Sequence, residues 1–325
     1  MSVLIFSESY DNSTNAVINY LNEFDIPVVR FNTDLNNDNL CYIKTIDNEF
    51  DIKFRLRNKI YSIRDFKLIW ARRGFFKFKM PDLCNEFKYS GIENVFQSHI
   101  QTEINYLKFF LEYIVENTSS YCIGNPSLYN INKLIVLDKA MQHGLNIPNT
   151  CVTKEASFIK EIINEKEEVI SKPISNCLNY FIPENEILIT QGNITKSLDD
   201  IKNEKFNYSL FQNTINIKFE LRIFFIMDKY FSAMIVKDKN DPNKKRMMPY
   251  KIPNSISDKL KLLMADLQLN TGSIDMLVDE NLIYYFLEVN PCGQIEWLSE
   301  YCFPNLHYDI ATILKKKYET EKSRI

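Results

Sequence analysis

The chain has 325 residues, of which 45% are apolar and 25% are charged, and its formal net charge is −3. This composition is typical of a globular protein with two or three packed units, and the charge gives no electrostatic reason to expect nucleic acid or an anionic membrane as a partner. The seven cysteines form no C-x-x-C pair, which favours reduced thiols over disulfides or a zinc site. Because we find neither an N-terminal signal nor an apolar run that could cross a bilayer, we expect a cytoplasmic protein.

Residues 1–120 predict an α/β domain. The stretches SVLIFSES, NAVINYLNEF and IPVVRFN have the patterns of a strand, a helix and a second strand. CYIKTID and FDIKFRLRNKIYS follow as the strands of a hairpin, and the apolar strand FKLIWARRG ends in Arg72 and Arg73. Apolar residues recur at three- and four-residue spacing over residues 92–117, which predicts a long helix.

Residues 121–206 predict a small central domain, and residues 207–325 predict a larger domain built on antiparallel strands. A helix ends before Gly144, a residue type that often follows a helix C-terminus. EASFIKEIINEK predicts a further helix, and the strand EEVISKPIS carries Lys172 at its end. ELRIFFIMDKYFSAMIVK predicts two strands, SISDKLKLLMADLQ a helix, and TGSIDMLVDE and NLIYYFLEVNP two more strands, before a helix around YDIATILKKKY.

The stretch FLEVNP predicts a metal site. Glu288 and Asn290 are two residues apart on a strand, so their side chains share one face. Asp275, in the strand GSIDMLVD, would join them if the two strands paired across the turn at residues 279–281. Carboxylate and carboxamide oxygens suit Mg²⁺, which keeps several waters and bridges nucleotide phosphates. The alternative is three polar residues that end strands in water.

If a nucleotide binds here, residues other than a glycine-rich loop must hold its phosphates. Seven glycines are too few and too scattered for a glycine-rich phosphate loop. Lys172 ends a strand, where its ammonium can reach phosphate oxygens, although a solvent-facing lysine is the alternative. Arg222 lies on the apolar strand ELRIFFI, where a guanidinium needs an anion such as a substrate carboxylate or a transferring phosphate. The alternative for Arg222 is an ion pair with Glu220, two residues away on the same face.

These motifs, in this order and spacing, resemble those of the ATP-grasp ligases over roughly the C-terminal 200 residues. Among ATP-grasp ligases, the variants ELR and NPCGQIEWL look most like the graspetide synthetases, which include the microviridin ligases, and closest to the grasp-with-spasm peptide maturases. The residues that carry the resemblance are Asn125-Pro126, Lys133, Leu145-Asn146-Ile147-Pro148, Lys172-Pro173, Gln212, Glu220-Leu221-Arg222, Ser273-Ile274-Asp275 and Glu288-Val289-Asn290-Pro291.

The resemblance implies a fold, two cofactors and a set of site residues. The fold would be the ATP-grasp fold, of the α/β and α+β class, with an N-terminal α/β domain, a small central domain and a C-terminal antiparallel-sheet domain. ATP and Mg²⁺ would be the cofactors. The implied nucleotide-binding residues are Lys133 (with Lys139 as a rival), Lys172, Gln212 at the start of the adenine-binding stretch, Asn216 at the ribose position where the family usually has Glu, and Arg222. The implied metal ligands are Asp275, Glu288 and Asn290; the implied catalytic residues are Lys172 and Arg222; and the implied substrate-binding residues are Arg72, Arg73 and Arg222.

The resemblance also implies an activity, that of an ATP-dependent peptide macrocyclase. Such an enzyme phosphorylates Glu or Asp side chains of a ribosomal precursor peptide and joins them to Thr or Ser as esters, or to Lys as amides. Its partner would be a leader peptide with an acidic core that contains Thr or Ser, and Arg72 and Arg73 would hold that core unless they are a surface pair. The sequence leaves the oligomeric state open, with a homodimer as one candidate.

Two other functions stay open at this point. One is an ATP-grasp ligase that adds amino acids to a protein tail or to a small molecule, and the motif NPCGQIEWL favours the macrocyclase over it. The other is a non-catalytic, nucleotide-dependent peptide-binding protein. The three predicted metal ligands argue against that alternative, because a binding module has no need of them.

Overall fold

We describe the protein from a computed structural model, which covers residues 2–35, 39–81, 92–118, 120–161, 168–175, 179–182, 187–190, 194–197, 201, 206–237 and 244–323. The chain forms two compact units. We call residues 1–129 and 294–325 the terminal unit and residues 130–293 the middle unit. The domain boundaries predicted after residues 120 and 206 stay predictions.

The helices and strands are numbered in chain order. The strands are β1 Ser2–Ser7, β2 Val28–Asn32, β3 Leu40–Ile46, β4 Glu49–Leu56, β5 Lys59–Ser62, β6 Phe66–Ala71, β7 Tyr121–Ile123, β8 Thr150–Thr153, β9 Glu168–Lys172, β10 Asn179–Ile182, β11 Ile187–Thr190, β12 Ile194–Ser197, β13 Ser209–Asn213, β14 Ile217–Ile226, β15 Lys229–Lys237, β16 Lys245–Pro249, β17 Thr271–Asp279 and β18 Tyr284–Asn290. The α-helices are α1 Asn12–Glu23, α2 Ile92–Asn117, α3 Lys133–Gln142, α4 Ala156–Ile159, α5 Asn254–Asp266, α6 Glu296–Tyr301 and α7 Leu306–Lys322.

A parallel sheet with strand order β2-β1-β6-β7 forms the centre of the terminal unit. The predicted strand–helix–strand start is confirmed, since β1, α1 and β2 follow one another and β1 pairs with β2 in parallel. Asp11 begins α1 by accepting a hydrogen bond from the backbone N of Thr14. Phe6, Phe31 and Phe54 are fully buried in one core cluster, which explains part of the aromatic content of the chain.

The predicted hairpin of the terminal unit contains three strands rather than two. β3, β4 and β5 form an antiparallel sheet. The stretch FDIKFRLRNKIYS was predicted as one strand, but it turns at Arg57, whose φ is +53°. Because a residue at positive φ cannot continue an extended strand, the stretch divides into β4 and β5.

Two antiparallel sheets dominate the middle unit. A four-stranded sheet has the order β12-β9-β13-β8, and a five-stranded sheet has the order β16-β15-β14-β17-β18. β10 and β11 form a separate hairpin. The sequence analysis did not predict β10, β12 or β16, which have only four or five residues each. Such short strands leave too few alternating positions for a pattern to stand out.

Several predicted helices have the expected bounds. α2 spans residues 92–117 as predicted. α3 ends before Gly144, which has a φ of +72° and donates its backbone N to Met141 O at 2.8 Å. Of the helix predicted for EASFIKEIINEK, α4 covers four residues, and residues 162–167 lie outside the described part of the chain. Among the described residues, no helix is both long and apolar enough to span a membrane.

Candidate active site

The strands β17 and β18 place two carboxylates opposite each other. Asp275 pairs with Glu288, whereas the next residue, Met276, pairs with Phe286. Leu287 is therefore an extra residue in β18, a β-bulge. Without the bulge, Leu287 instead of Glu288 would face Asp275, so this irregularity brings the second carboxylate into the group.

Asn290 lies beside this carboxylate pair. Its Nδ2 atom donates a hydrogen bond to Oε1 of Glu288 at 3.3 Å, as expected from their shared strand face. The three oxygen-bearing side chains predicted as metal ligands are thus brought together. The described residues hold no group of three His, Cys, Asp or Glu side chains suited to a metal ion, so a metal here would need the carboxamide of Asn290.

Close packing between Ser273 and Gly293 fixes the position of the chain just after Asn290. Ser273 is fully buried and pairs with Asn290 across the strands. A Cβ atom on Gly293 would overlap the Ser273 side chain, so only glycine fits there. The sequence analysis assigned no role to Gly293, and a glycine just after FLEVNP in a chain with seven glycines was the available signal.

Arg222 contacts the first of the predicted metal ligands. It pairs with Asp275 across β14 and β17, and its Nε atom is 2.6 Å from Oδ1 of Asp275. Glu220, the alternative ion partner, instead has Oε1 2.5 Å from Nζ of Lys237. The structural partner of Arg222 is therefore a residue of the site, which the sequence analysis did not predict.

The pKa of Asp275 reflects this environment. Burial raises it to about 7, and the nearby carboxylates of Glu288 and Glu220 raise it as well. Arg222 and Lys172 act in the opposite direction, because their positive charges stabilise the ionised form. Burial is the largest of these effects, and among the neighbouring charges that of Arg222 is the strongest.

Lys133 joins the group from the first turn of α3. Its Nζ atom is 3.4 Å from Oε2 of Glu288. Asn132 sets the start of α3, since its side chain accepts hydrogen bonds from the backbone N of Leu134 and of Ile135. Lys139, the predicted rival, instead contacts Asp266 at 2.6 Å. Of the two lysines, Lys133 is the one that contacts the carboxylate group.

Lys172 ends β9 as predicted and is held by a buried amide. Its Nζ atom donates to Oε1 of Gln212 at 2.8 Å, and Nε2 of Gln212 donates to Oγ1 of Thr150 at 3.0 Å. Burial lowers the pKa of Lys172, while the charges of Glu288 and Asp275 raise it. Lys172 is thus partly buried and positioned, which argues against the solvent-facing alternative.

Three further residues were predicted for the site, one in the middle unit and two in the terminal unit. Asn216 is exposed in the connection between β13 and β14 and makes none of the described contacts with the group. Arg72 and Arg73 follow β6 in the terminal unit, where both backbone N atoms donate to Phe6 O at 3.1 Å. Arg72 is 6% exposed and its Nε lies 3.6 Å from Oδ2 of Asp11, so the surface-pair alternative is wrong for Arg72.

The two arginines line a cleft of the terminal unit with a volume of about 180 Å³. The cleft lies where the carboxyl end of β6 meets the N-terminus of α1. Glu8 contacts Arg73 at 3.7 Å, and Ser13 donates to Glu296 at 2.5 Å. The acidic side chains here were not predicted, although an Asp before NSTNAVINY is a recognisable helix start. The residues that line the cleft are Tyr10, Asp11, Asn12, Ser13, Arg72, Arg73, Gln294, Ile295 and Glu296.

Comparison with solved structures identifies the fold as that of the ATP-grasp ligases. The macrocyclase MdnC of Microcystis aeruginosa MRC, bound to its precursor peptide MdnA, has a TM-score of 0.76 and 23% identity, with 97% of this chain and 100% of that chain covered. A RiPP-associated ATP-grasp ligase of Chryseobacterium gregarium, in complex with ADP and a leader and core peptide, has a TM-score of 0.74 and 21% identity over 98% and 97% of the two chains. The ATP-grasp ligase PsnB, complexed with a minimal precursor, Mg and ADP, has a TM-score of 0.72 and 14% identity over 97% of each chain.

The predicted fold is therefore confirmed over nearly the whole chain, including the N-terminal part that the sequence motifs did not cover. No protein-family model matches the sequence, and a search of curated proteins found no significant match.

Proposed function

We propose that the protein is an ATP-dependent ligase that links side chains within a ribosomal precursor peptide. The observation that carries this proposal is the group formed by Asp275, Glu288 and Asn290, which Lys133 and Arg222 contact directly. Carboxylates flanked by cations, on neighbouring strands of one sheet in an ATP-grasp fold, suit the binding of a nucleoside triphosphate with its metal. The solved structures of the same fold that contain precursor peptides, ADP and Mg support a peptide as the substrate.

Asp275, Glu288 and Asn290 would hold Mg²⁺, because hard oxygen donors of this kind are the ligands it prefers. The bound ion would neutralise charge on the phosphate oxygens of ATP. Lys133 and Lys172 would bind phosphate oxygens as point charges, and Gln212 would keep the Lys172 ammonium in place. Asn216 would contact the ribose, where its amide can both donate and accept hydrogen bonds.

The reaction would proceed in two steps. An Asp or Glu carboxylate of the peptide attacks the γ-phosphorus of ATP, which gives an acyl phosphate and ADP. A Thr or Ser hydroxyl, or a Lys amine, then attacks the acyl carbon, so that phosphate leaves and the proton passes to solvent. Arg222 would stabilise the charge on the transferring phosphoryl group, because a guanidinium can bind two oxygens at once. Arg72 and Arg73 would bind carboxylates of the acidic core.

The test uses the purified protein, ATP, Mg²⁺ and the short peptide encoded beside its gene, if its tail is rich in Thr or Ser and in Asp or Glu. We expect ADP release together with the loss of one water mass per link. Esters and amides are then distinguished by mild base, which hydrolyses only esters. ADP release that depends on a free amino acid, with no loss of water mass from the peptide, would support the amino-acid ligase instead.

A further inference from the structure

The sheet face that carries Arg222 and Asp275 continues across β15 and β16. Arg222 pairs with Ala233 of β15, and Ala233 pairs with Pro249 of β16, so these three residues form a row across the strands. Because side chains alternate along a strand, every second residue from this row lies on the same face. We call the part of the face on β15 and β16 the β15–β16 face, and its members are Ala233, Ile235, Lys237, Lys245, Met247 and Pro249.

The β15–β16 face has an apolar centre and a basic end. Ile235 pairs with Met247, and both residues are partly buried. Two residues further along the strands, Lys237 pairs with Lys245, and both lysines are exposed. The charge at this end of the face complements an acidic peptide, whereas a basic peptide would be repelled.

The two lysines at the basic end differ in their partners. Like charges that lie directly opposite each other destabilise a pair of strands. Nζ of Lys237 lies 2.5 Å from Oε1 of Glu220, and this carboxylate offsets its charge. Lys245 forms no ion pair with any of the residues that the structure describes. Of the two lysines, Lys245 is therefore the one whose charge an incoming carboxylate would match.

We propose that the β15–β16 face binds an acidic segment of the substrate peptide, with one peptide carboxylate at Arg222 and a second carboxylate at Lys245. This inference rests on the proposed function, in which the reacting carboxylate of the peptide lies at Arg222. Ile235 and Met247 lie between the two cations and would contact the peptide residues that separate the two acidic side chains. The second carboxylate would not react; it would set which acidic residue of the peptide reaches Arg222.

The strand geometry fixes the spacing of the two peptide carboxylates. Lys245 is four residues along β16 from Pro249, which lies in the row of Arg222. Four residues of extended chain span about 14 Å, so a peptide that lies along the strands covers this distance with four residues of its own. The two strand spacings between Arg222 and Lys245, about 10 Å in total, are covered by their long side chains. Acidic residues four apart point to the same side of an extended peptide, whereas residues three apart point to opposite sides.

A general role of the edge strand is the alternative for Lys245. β16 is at the edge of its sheet, and lysines on such strands prevent pairing with another chain. In that role Lys245 and Arg246 would be equivalent, because both are exposed cations of β16. In our proposal they differ, since Arg246 pairs with Val236 and points to the opposite face of the sheet. Arg246 is therefore the matched control for Lys245.

The test measures peptide binding to the full chain by fluorescence anisotropy, at low salt and without ATP. The probes are two labelled peptides of identical composition, made of Ser, Thr, Gly and Leu with two Glu residues either three or four apart. We expect the wild type to bind the peptide with the four-residue spacing about threefold to fivefold more tightly, the range of one exposed ion pair. Lys245→Gln should bind the two peptides alike, and Arg246→Gln should keep the preference of the wild type.

Two further measurements separate peptide binding from other roles of Lys245. Lys245→Gln should bind Mg·ATP as tightly as the wild type does, and its thermal stability should not fall, because one of two opposed lysines is removed. A loss of Mg·ATP affinity as large as the loss of peptide affinity would overturn the proposal and assign Lys245 to the nucleotide.

Equal binding of the two peptides by the wild type would overturn the proposal, as would the absence of binding up to about 1 mM. Loss of the preference in Arg246→Gln as well would also overturn it, because the general charge of β16 would then explain the effect. Since binding is measured without ATP, it is independent of ligation. The expected preference without any ligation would support the β15–β16 face as a peptide site and contradict the proposed ligase activity.

Discussion

Arg222 and Asp275 face each other on neighbouring antiparallel strands, and Nε of Arg222 lies 2.6 Å from Oδ1 of Asp275. The pair joins the residue proposed to act on the phosphoryl group to a residue proposed to bind the metal. A guanidinium has five N–H donors in a planar fork, which allows it to hold a carboxylate and a second anion. An ammonium in its place would keep the charge but lose this geometry.

Arg222→Lys should therefore lower the rate of the chemical step about a hundredfold and leave ATP affinity nearly unchanged. The measurement is ADP release and loss of water mass from an acidic peptide, beside nucleotide affinity. Glu220→Gln is the control, because Glu220 lies on the same strand face and pairs with Lys237. Wild-type turnover in Arg222→Lys would mean that Arg222 serves only to pair with Asp275.

Glu288→Gln should weaken the binding of Mg·ATP itself. The substitution removes the charge of one proposed ligand while it keeps the size and one oxygen of the side chain. We expect affinity for Mg·ATP to fall by about tenfold or more, and affinity for metal-free ATP to change much less. Titration calorimetry with and without Mg²⁺ measures both. Glu280→Gln, at an exposed position of the same hairpin, should behave like the wild type, and equal losses in the two variants would argue against a metal site.

The raised pKa of Asp275 predicts a stability that depends on pH. In the metal-free folded chain the pKa of this carboxyl is raised to about 7, whereas in the unfolded chain its pKa has the ordinary value of 3.8. Between these pH values the folded state thus binds more protons than the unfolded state. The contribution of Asp275 to the free energy of unfolding therefore falls as pH rises from about 4 to 7. The slope is at most about 1.4 kcal/mol per pH unit.

Chemical denaturation at several pH values, with the wild type and Asp275→Asn side by side, measures this contribution. The asparagine variant should lack that part of the slope, and Glu280→Gln should keep it. Mg²⁺ should flatten the slope of the wild type, because a bound cation displaces the proton. Parallel pH profiles for the wild type and Asp275→Asn would show that Asp275 does not titrate in this range.

The close contact between Gly293 and Ser273 predicts that substitutions at these two positions have coupled effects on stability. Gly293→Ala should destabilise the chain by about 1 to 3 kcal/mol, because the new Cβ overlaps the Ser273 side chain. Ser273→Gly should recover part of this loss in the double variant, although the backbone N of residue 273 would remain 3.0 Å from the new Cβ. Ser273→Ala should recover less, since its own Cβ still overlaps.

Thermal denaturation of the single and double variants gives the coupling free energy, and Mg·ATP affinity reports whether Asn290 has moved. Additive losses in Gly293→Ala and Ser273→Gly would mean that the two residues do not constrain each other.

The sequence by itself determined the helices with long apolar periodicity, such as α2, and the strands whose alternation is regular, such as β17. It also placed Glu288 and Asn290 on one face, because strand geometry alone fixes that relation. The ordered motifs, from Lys133 to Asn290, were enough to predict the ATP-grasp fold.

Only the tertiary structure decided how these side chains meet. The bulge at Leu287 determines that Glu288 faces Asp275, and no local pattern announces one extra residue in a strand. The choice of Asp275 over Glu220 as the partner of Arg222, and of Lys133 over Lys139 as the lysine that contacts Glu288, likewise depends on the register between strands and on the position of α3. Periodicity is a property of neighbouring residues in one chain segment, whereas register and burial arise only when distant segments pack together.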